Sequence, residues 1–290
     1  MKVSIGLLLC FIALASAFGL PLENGTGVYD YHQRFGISAA TEIKRIESEL
    51  TEAESRIVGG GSTTTLSVPH QVGLIITINI ISTSVCGATL ISDSRVLTAA
   101  HCYNDGNNIA QSFTVILGSN LLFSGGTRIN TNDFVIHPGY NPWIVANDLG
   151  IIRITRVTFS LTIQPINLPS GSELNLDYVG YTALASGYGI TRDGDGVGLL
   201  QTLNSVNLQV ITNNVCAGSY SGIMNTHLCT NGAGGVGTCG GDTGGPLITT
   251  VNGRRILIGI SSFFSSRGCQ AGQPSGFTRV TAFTNWIHSI

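Results

Sequence analysis

Charge is scarce in this chain. Only 10% of its 290 residues are Asp, Glu, Lys or Arg, and the formal net charge is −2. With 43% apolar residues, that scarcity excludes a disordered chain. The near-neutral balance leaves no basic footprint for nucleic acid. Lysine is rarer still: Lys2 and Lys44 are the whole complement, so from residue 57 onward every basic side chain but histidine is an arginine. Lysine loses its charge near pH ~10.4 and arginine only beyond pH ~12. Beside simple drift, the bias suggests an alkaline working medium or exposure to lysine-cutting proteases. No CxxC pair occurs and the six histidines are scattered, so neither a metal nor any cofactor is expected. After the first residues no apolar run approaches the ~18 residues of a membrane span.

What is abundant points to β structure. The 38 glycines accompany runs rich in Val, Ile and Thr, which predicts an all-β chain of one or two domains. Candidate strands are Val72–Ile81, Phe113–Leu117, Leu149–Ile154, Leu203–Val210 and Ile256–Ser262. A helix is expected at the tail, Thr281–Ile290, where Phe283, Trp286, Ile287 and Ile290 share one face.

The N-terminus carries an address. Lys2, the apolar run Ile5–Ala15 and the small residues Ala15-Ser16-Ala17 make the three parts of a secretory signal over residues 1–17. Cysteine usage agrees: Cys10 leaves with the signal, and Cys86, Cys102, Cys216, Cys229, Cys239 and Cys269 form an even set, as three disulfides require. Residues 18–56 are acidic, with Glu23, Asp30, Glu42, Glu47, Glu49, Glu52 and Glu54. Within them Ile43, Ile46 and Leu50 stand at helical spacing. This leader reads either as a solvated spacer or as a docked pro-segment, and Asn24-Gly25-Thr26 in it is a glycosylation acceptor.

Four motifs carry chemistry. Arg56-Ile57-Val58-Gly59-Gly60 opens the neutral region. Thr98-Ala99-Ala100-His101-Cys102 ends an apolar strand, and Asn147-Asp148-Leu149 precedes another. Cys239-Gly240-Gly241-Asp242-Thr243-Gly244-Gly245-Pro246 is a glycine-rich turn holding an acid and a hydroxyl. Singly each has a mundane explanation. Together, in the order His, Asp, hydroxyl, they resemble the chymotrypsin-like serine proteases over all of residues 57–290.

The resemblance implies two antiparallel six-stranded β-barrels, about 57–165 and 166–290, with a short C-terminal helix and the site between them. It implies a zymogen cut at Arg56–Ile57 by a trypsin-like protease, whose new Ile57 ammonium pairs with Asp242. His101 would be the general base, Asp148 its orienting carboxylate, and the N–H groups of Gly241 and Thr243 the oxyanion hole. It pairs Cys86–Cys102, Cys216–Cys229 and Cys239–Cys269. Partners would be protein or peptide substrates or ligands and protein inhibitors, with no nucleic acid and no membrane. The compartment would be extracellular, with a digestive lumen suggested by the missing lysines.

Two departures stand out. Thr243 occupies the place of the family's serine, and its extra methyl restricts χ1 in a turn built for serine. In Ser262-Phe263-Phe264 the family would have Ser-Trp-Gly, so Phe264 either narrows the pocket mouth or turns outward. At the pocket base, Gly237 and Ser275 leave no acid for a Lys or Arg side chain, which predicts an apolar or small preference. The leading expectation is a protease homologue with a binding role and strongly reduced or no activity; the alternative is an active endopeptidase using Thr243. His70, His137, His227 and His288 read as structural, Arg254-Arg255 as a turn, and Phe283 and Trp286 as packing.

Overall fold

The computed structural model describes residues 28–49, 63–191 and 202–290. The signal at 1–17, the Asn24 acceptor, Leu50 and the Arg56–Ile57 bond lie outside the described residues.

Two β assemblies form the body. The first has the order β5-β4-β1-β2-β3-β7-β6. Its strands are β1 (Gln71–Thr77), β2 (Thr83–Leu90), β3 (Arg95–Thr98), β4 (Ser112–Leu117), β5 (Thr127–Thr131), β6 (Phe134–Ile136) and β7 (Gly150–Arg153). β5 and β6 are separated by only Asn132 and Asp133, and one pairs with β4 while the other pairs with β7. They are therefore two halves of one bent run that carries both edges of the sheet, which curls into a half-barrel. Alternation fills its inside: Val72, Leu74 and Ile76 on β1 are fully buried, and they join Leu90, Leu97, Val115 and Ile151 in one core.

The second assembly is a closed barrel in the order β10-β13-β12-β11-β8-β9. It comprises β8 (Thr182–Gly187), β9 (Asn204–Ile211), β10 (His227–Thr230), β11 (Pro246–Val251), β12 (Arg254–Phe263) and β13 (Ser275–Arg279). Leu208, Leu228, Leu247, Ile258 and Phe277 fill it.

Among the described residues three α-helices are attached: α1 (Ile37–Glu49), entered through a π-helical turn at His32–Gly36, α2 (Asn213–Ala217) and α3 (Thr284–Ser289). The tail helix is shorter than its apolar spacing predicts because a 3-10 turn, Val280–Ala282, intervenes. Phe283 and Ile287 are buried in the first core, and His137 stands edge-on to Phe283 and Trp286. β1 also stops short of the predicted Ile81. There the Asn79 side chain accepts the N–H groups of Ile81 and Ser82, turning the chain and leaving Ile80 and Ile81 in solvent. The disulfides Cys86–Cys102, Cys216–Cys229 and Cys239–Cys269 are formed.

The barrels meet where β2 touches the glycine-rich turn. A Cβ on Gly87 would lie 2.8 Å from the backbone of Gly245, so only glycine admits this approach. The Gly87 N–H then donates to the Thr243 carbonyl at 2.7 Å.

Candidate active site

The residues picked out by motif converge from both barrels. β3 ends at Thr98, Ala99 is extended, and a single 3-10 turn over Ala100–Cys102 presents His101, held by the Cys86–Cys102 bridge. Asp148 comes from the loop entering β7. Its Oδ1 accepts the His101 backbone N–H at 3.0 Å, and its Oδ2 accepts from His101 Nδ1 at 2.8 Å. Holding Nδ1 in this way leaves Nε2 as the nitrogen free of the carboxylate. Both side chains are fully buried.

Ser262, read from sequence as a pocket residue, turns its hydroxyl to the carboxylate. A β-bulge between Ser261 and Phe263, opposite Phe277 and Gly276, frees it from the ladder. Its hydroxyl donates to Asp148 Oδ2 at 2.6 Å, while Thr278 Oγ1 donates to the Asp148 carbonyl at 2.7 Å. Burial works to raise the Asp148 pKa, but the His101 charge and the bonds from His101 and Ser262 outweigh it, so the carboxyl sits below its ordinary range. No motif marked Thr278; only the folded register brings it here.

The turn supplies the other half. Gly241 has φ +96°, a conformation that favours glycine. Asp242 is half-buried, and its two carboxylate oxygens accept from Gly189 N–H at 2.8 Å and Cys239 N–H at 3.0 Å. Burial, only partly offset by those bonds, pushes its pKa up to about 6. Thr243 is 1% exposed. Its Oγ1 and the His101 Nε2 are buried atoms for which no hydrogen-bond partner is found among the described residues. The nucleophile-to-base bond that the motif order anticipates is not made.

At the pocket, a side chain on Gly237 would collide with Ser275 Oγ, which itself accepts the Thr238 N–H at 3.0 Å. Phe263 packs between Tyr220 and His227 with its ring over Gly276, and Phe264 is buried with its ring edge-on to Phe35, 5.0 Å between centroids. Phe35 belongs to the leader, which lies across the cleft. Sequence reasoning singled out none of Tyr31, His32, Phe35 and Gly36, all of which touch this region. The one signal that could have found them is the recurrence of Tyr31, Phe35, Ala39 and Ile43 at helical spacing. Among the described residues no cluster of His, Cys, Asp and Glu could hold a metal, and no helix is long and apolar enough to cross a membrane.

Comparison with known proteins gives the family. A collagenase of Hypoderma lineatum is 38% identical over 236 residues, covering 81% of this chain and 86% of that protein. Brachyurin of Leptuca pugilator is 36% identical, covering 80% and 97%. Human chymotrypsin-like elastase family member 1 is 32% identical, covering 83% and 95%. The solved structure of HL collagenase superposes with a TM-score of 0.72 at 35% identity, over 80% of this chain and 97% of that one. The profile described as Trypsin matches residues 57–287, and over that span the chain belongs to the trypsin family, the chymotrypsin-like serine proteases.

Proposed function

We propose that this chain is a secreted zymogen of its family that binds peptides between its barrels and hydrolyses them very slowly or not at all. The observation that carries the reading is Thr243 itself, 1% exposed in a turn whose backbone is held on both sides, where the motif order calls for a serine hydroxyl beside His101. Hydrolysis would need Oγ1 to pass its proton to Nε2 while attacking the substrate carbonyl, whose oxygen draws on the Gly241 and Thr243 N–H groups. The Thr243 backbone cannot shift to help. Gly87 N–H holds its carbonyl, and the next N–H, on Gly244, donates to Ser261 O at 2.7 Å. The methyl must then be placed by χ1 alone, which β-branching restricts. A displacement of ~1 Å costs about 100-fold.

In this reading Asp148 holds the imidazole, and Asp242 receives the Ile57 ammonium once a trypsin-like protease cuts after Arg56. Gly237 and Ser275 leave room for an apolar or small side chain only. The three disulfides and the signal-like start support an extracellular site, with a digestive lumen the proposed setting.

A slow endopeptidase using Thr243 is the second reading, favoured by the fully built His101–Asp148–Ser262 network. The two are separated by cutting the full chain at Arg56–Ile57, freeing it of its leader, and following turnover of peptides with Phe, Leu or Ala before the scissile bond. Appreciable turnover is expected only from the Thr243→Ser variant. Turnover by the native chain that disappears in His101→Ala would establish the second reading instead.

A further inference from the structure

The leader does not trail in solvent; residues 28–49 lie in the cleft. Tyr31 is fully buried, and its hydroxyl accepts the Gly241 N–H at 3.1 Å while donating to the Val85 carbonyl at 2.9 Å. Its ring stands edge-on to His101, 5.0 Å between centroids, and its hydroxyl lies beside Thr243. The proposed oxyanion donor is therefore taken. His32 donates its N–H to Asp105 Oδ2 at 2.9 Å, and its Nδ1 bonds Ser84 Oγ at 2.8 Å. Phe35 covers Phe264. One helical turn on, Ala39, Ala40 and Ile43 pack into a cluster with Val68, Val85, Ile116, Leu122, Tyr188 and Leu203. At the far end the buried Glu47 carboxylate accepts the N–H groups of Leu122, at 2.5 Å, and Phe123, at 2.8 Å.

Three features separate this from incidental packing. Its buried positions follow a single helical stripe, with the charged Arg34, Lys44 and Arg45 on the solvent side. The match is steric: any Cβ at Gly36 would run into Ser84 Oγ. A hydroxyl, not a peptide carbonyl, meets the Gly241 N–H, so the leader fills the site while presenting no bond there that could be cut.

We propose that residues 28–49 are a helical ligand of the cleft that remains bound after the Arg56–Ile57 bond is cut, so that opening the site takes a second event, release of the leader. The cut bond lies seven residues beyond Glu49, and severing it removes a tether without touching any of these contacts. The partner for this surface is thus a peptide of the chain's own sequence, bound as a helix where a substrate would bind extended. The proposal rests on reading the cleft as the substrate site.

The test uses the full chain and the Gly36→Ala variant, which raises helix propensity while blocking the approach to Ser84. Both are digested briefly with trypsin, the products are timed by mass spectrometry, and the cut protein is passed over a sizing column. The leader fragment of the parent is expected to co-elute with the domain, and its bonds after Arg34, Lys44 and Arg45 to be cut at least about tenfold more slowly than in Gly36→Ala. Immediate separation of the fragment, or equal rates at those three bonds, would overturn the proposal. If Gly36→Ala does not fold, Phe35→Ser serves in its place. A parallel arm carries Thr243→Ser: turnover should appear with a lag that tracks loss of the leader, and full turnover with the leader still co-eluting would also overturn it. Should Thr243→Ser never turn over after the leader has gone, the substrate-site reading fails, while co-elution still decides the docking.

Discussion

In the proposed reading one methyl group separates Thr243 from the family's nucleophile, and its weight follows from how little the surroundings can yield. The carbonyl of Thr243 and the following N–H are both pinned within the body of the protein. Thr243→Ser, with the leader removed, is expected to raise turnover by about 100-fold or more, read as kcat/KM on a Phe- or Leu-containing peptide. Ser262 offers a second test at the same scale. Its 2.6 Å bond helps hold the Asp148 carboxyl below its ordinary pKa. In a Thr243→Ser background, Ser262→Ala should lower kcat by about tenfold, the order of one charge-assisted hydrogen bond. The sign of the accompanying pH effect is fixed. A depressed carboxylate stabilises the fold above its unfolded pKa and loses that contribution as pH falls, so losing the bond should move the onset of acid unfolding upward. An unchanged acid limb would show that Ser262 only fills space.

At the scale of elements, the leader helix titrates at both ends of the pH range. Burial lowers the His32 pKa from 6.5 to about 4, opposed by the Asp105 carboxylate and reinforced by His101. A base depressed on docking stabilises the docked state above pH ~6.5, and that contribution is lost as pH falls towards 4. Burial raises Tyr31 to about 12, opposed by the Gly241 N–H and the nearby Thr243 hydroxyl, with Asp242 adding to the rise. Docking therefore weakens again as pH rises above ~10, where the free phenol ionises. Glu47, raised by burial against the bonds from Leu122 and Phe123, favours docking on acidification and works against His32 only near the ordinary carboxylate range. Leader release from the cut chain should be slowest between about pH 7 and 9.5 and faster on either side. Tyr31→Phe should abolish the alkaline limb alone; a flat profile would mean that neither ring is held neutral by the cleft. None of this was visible in the sequence. Ile43 and Ile46 announced an amphipathic helix, but Tyr31, His32 and Gly36 acquire meaning only from Gly241, Asp105 and Ser84, which the fold brings from distant positions. The motif strings were legible for the opposite reason: His101 with Cys102, or Asp242 with Thr243, carry their geometry in adjacent residues. Strand ends were lost where apolar side chains serve a turn, as at Ile80 and Ile81. The helix Asn213–Ala217 was missed because its signal is a single cap, Thr212.

For the molecule as a whole, the two barrels, the leader and the turn share one charge problem at Asp242. The carboxylate is withdrawn from water and held by two backbone N–H donors, and burial raises its pKa to about 6. A carboxyl raised on folding favours the fold while protonated, and that advantage is lost as pH rises through about 6. The uncut chain thus carries a strained anion at neutral and alkaline pH. If cutting after Arg56 delivers the Ile57 ammonium to Asp242, the penalty becomes an ion pair, and the carboxyl pKa falls below its unfolded value. The cut form should then gain thermal stability over the uncut form at pH 8, and the gain should shrink as pH falls through about 6 and vanish only below the carboxyl's pKa in the cut form, at about 2–4 °C per kcal/mol for a domain of this size. Asp242→Asn should erase the pH dependence of the gap, since the amide neither suffers the burial of charge nor rewards the ammonium. Equal melting temperatures for cut and uncut wild type at pH 8 would mean that Ile57 does not reach Asp242. The zymogen step would then consist of leader release alone. The pair of melting curves and the leader co-elution together assign activation to the turn, to the helix, or to both in sequence.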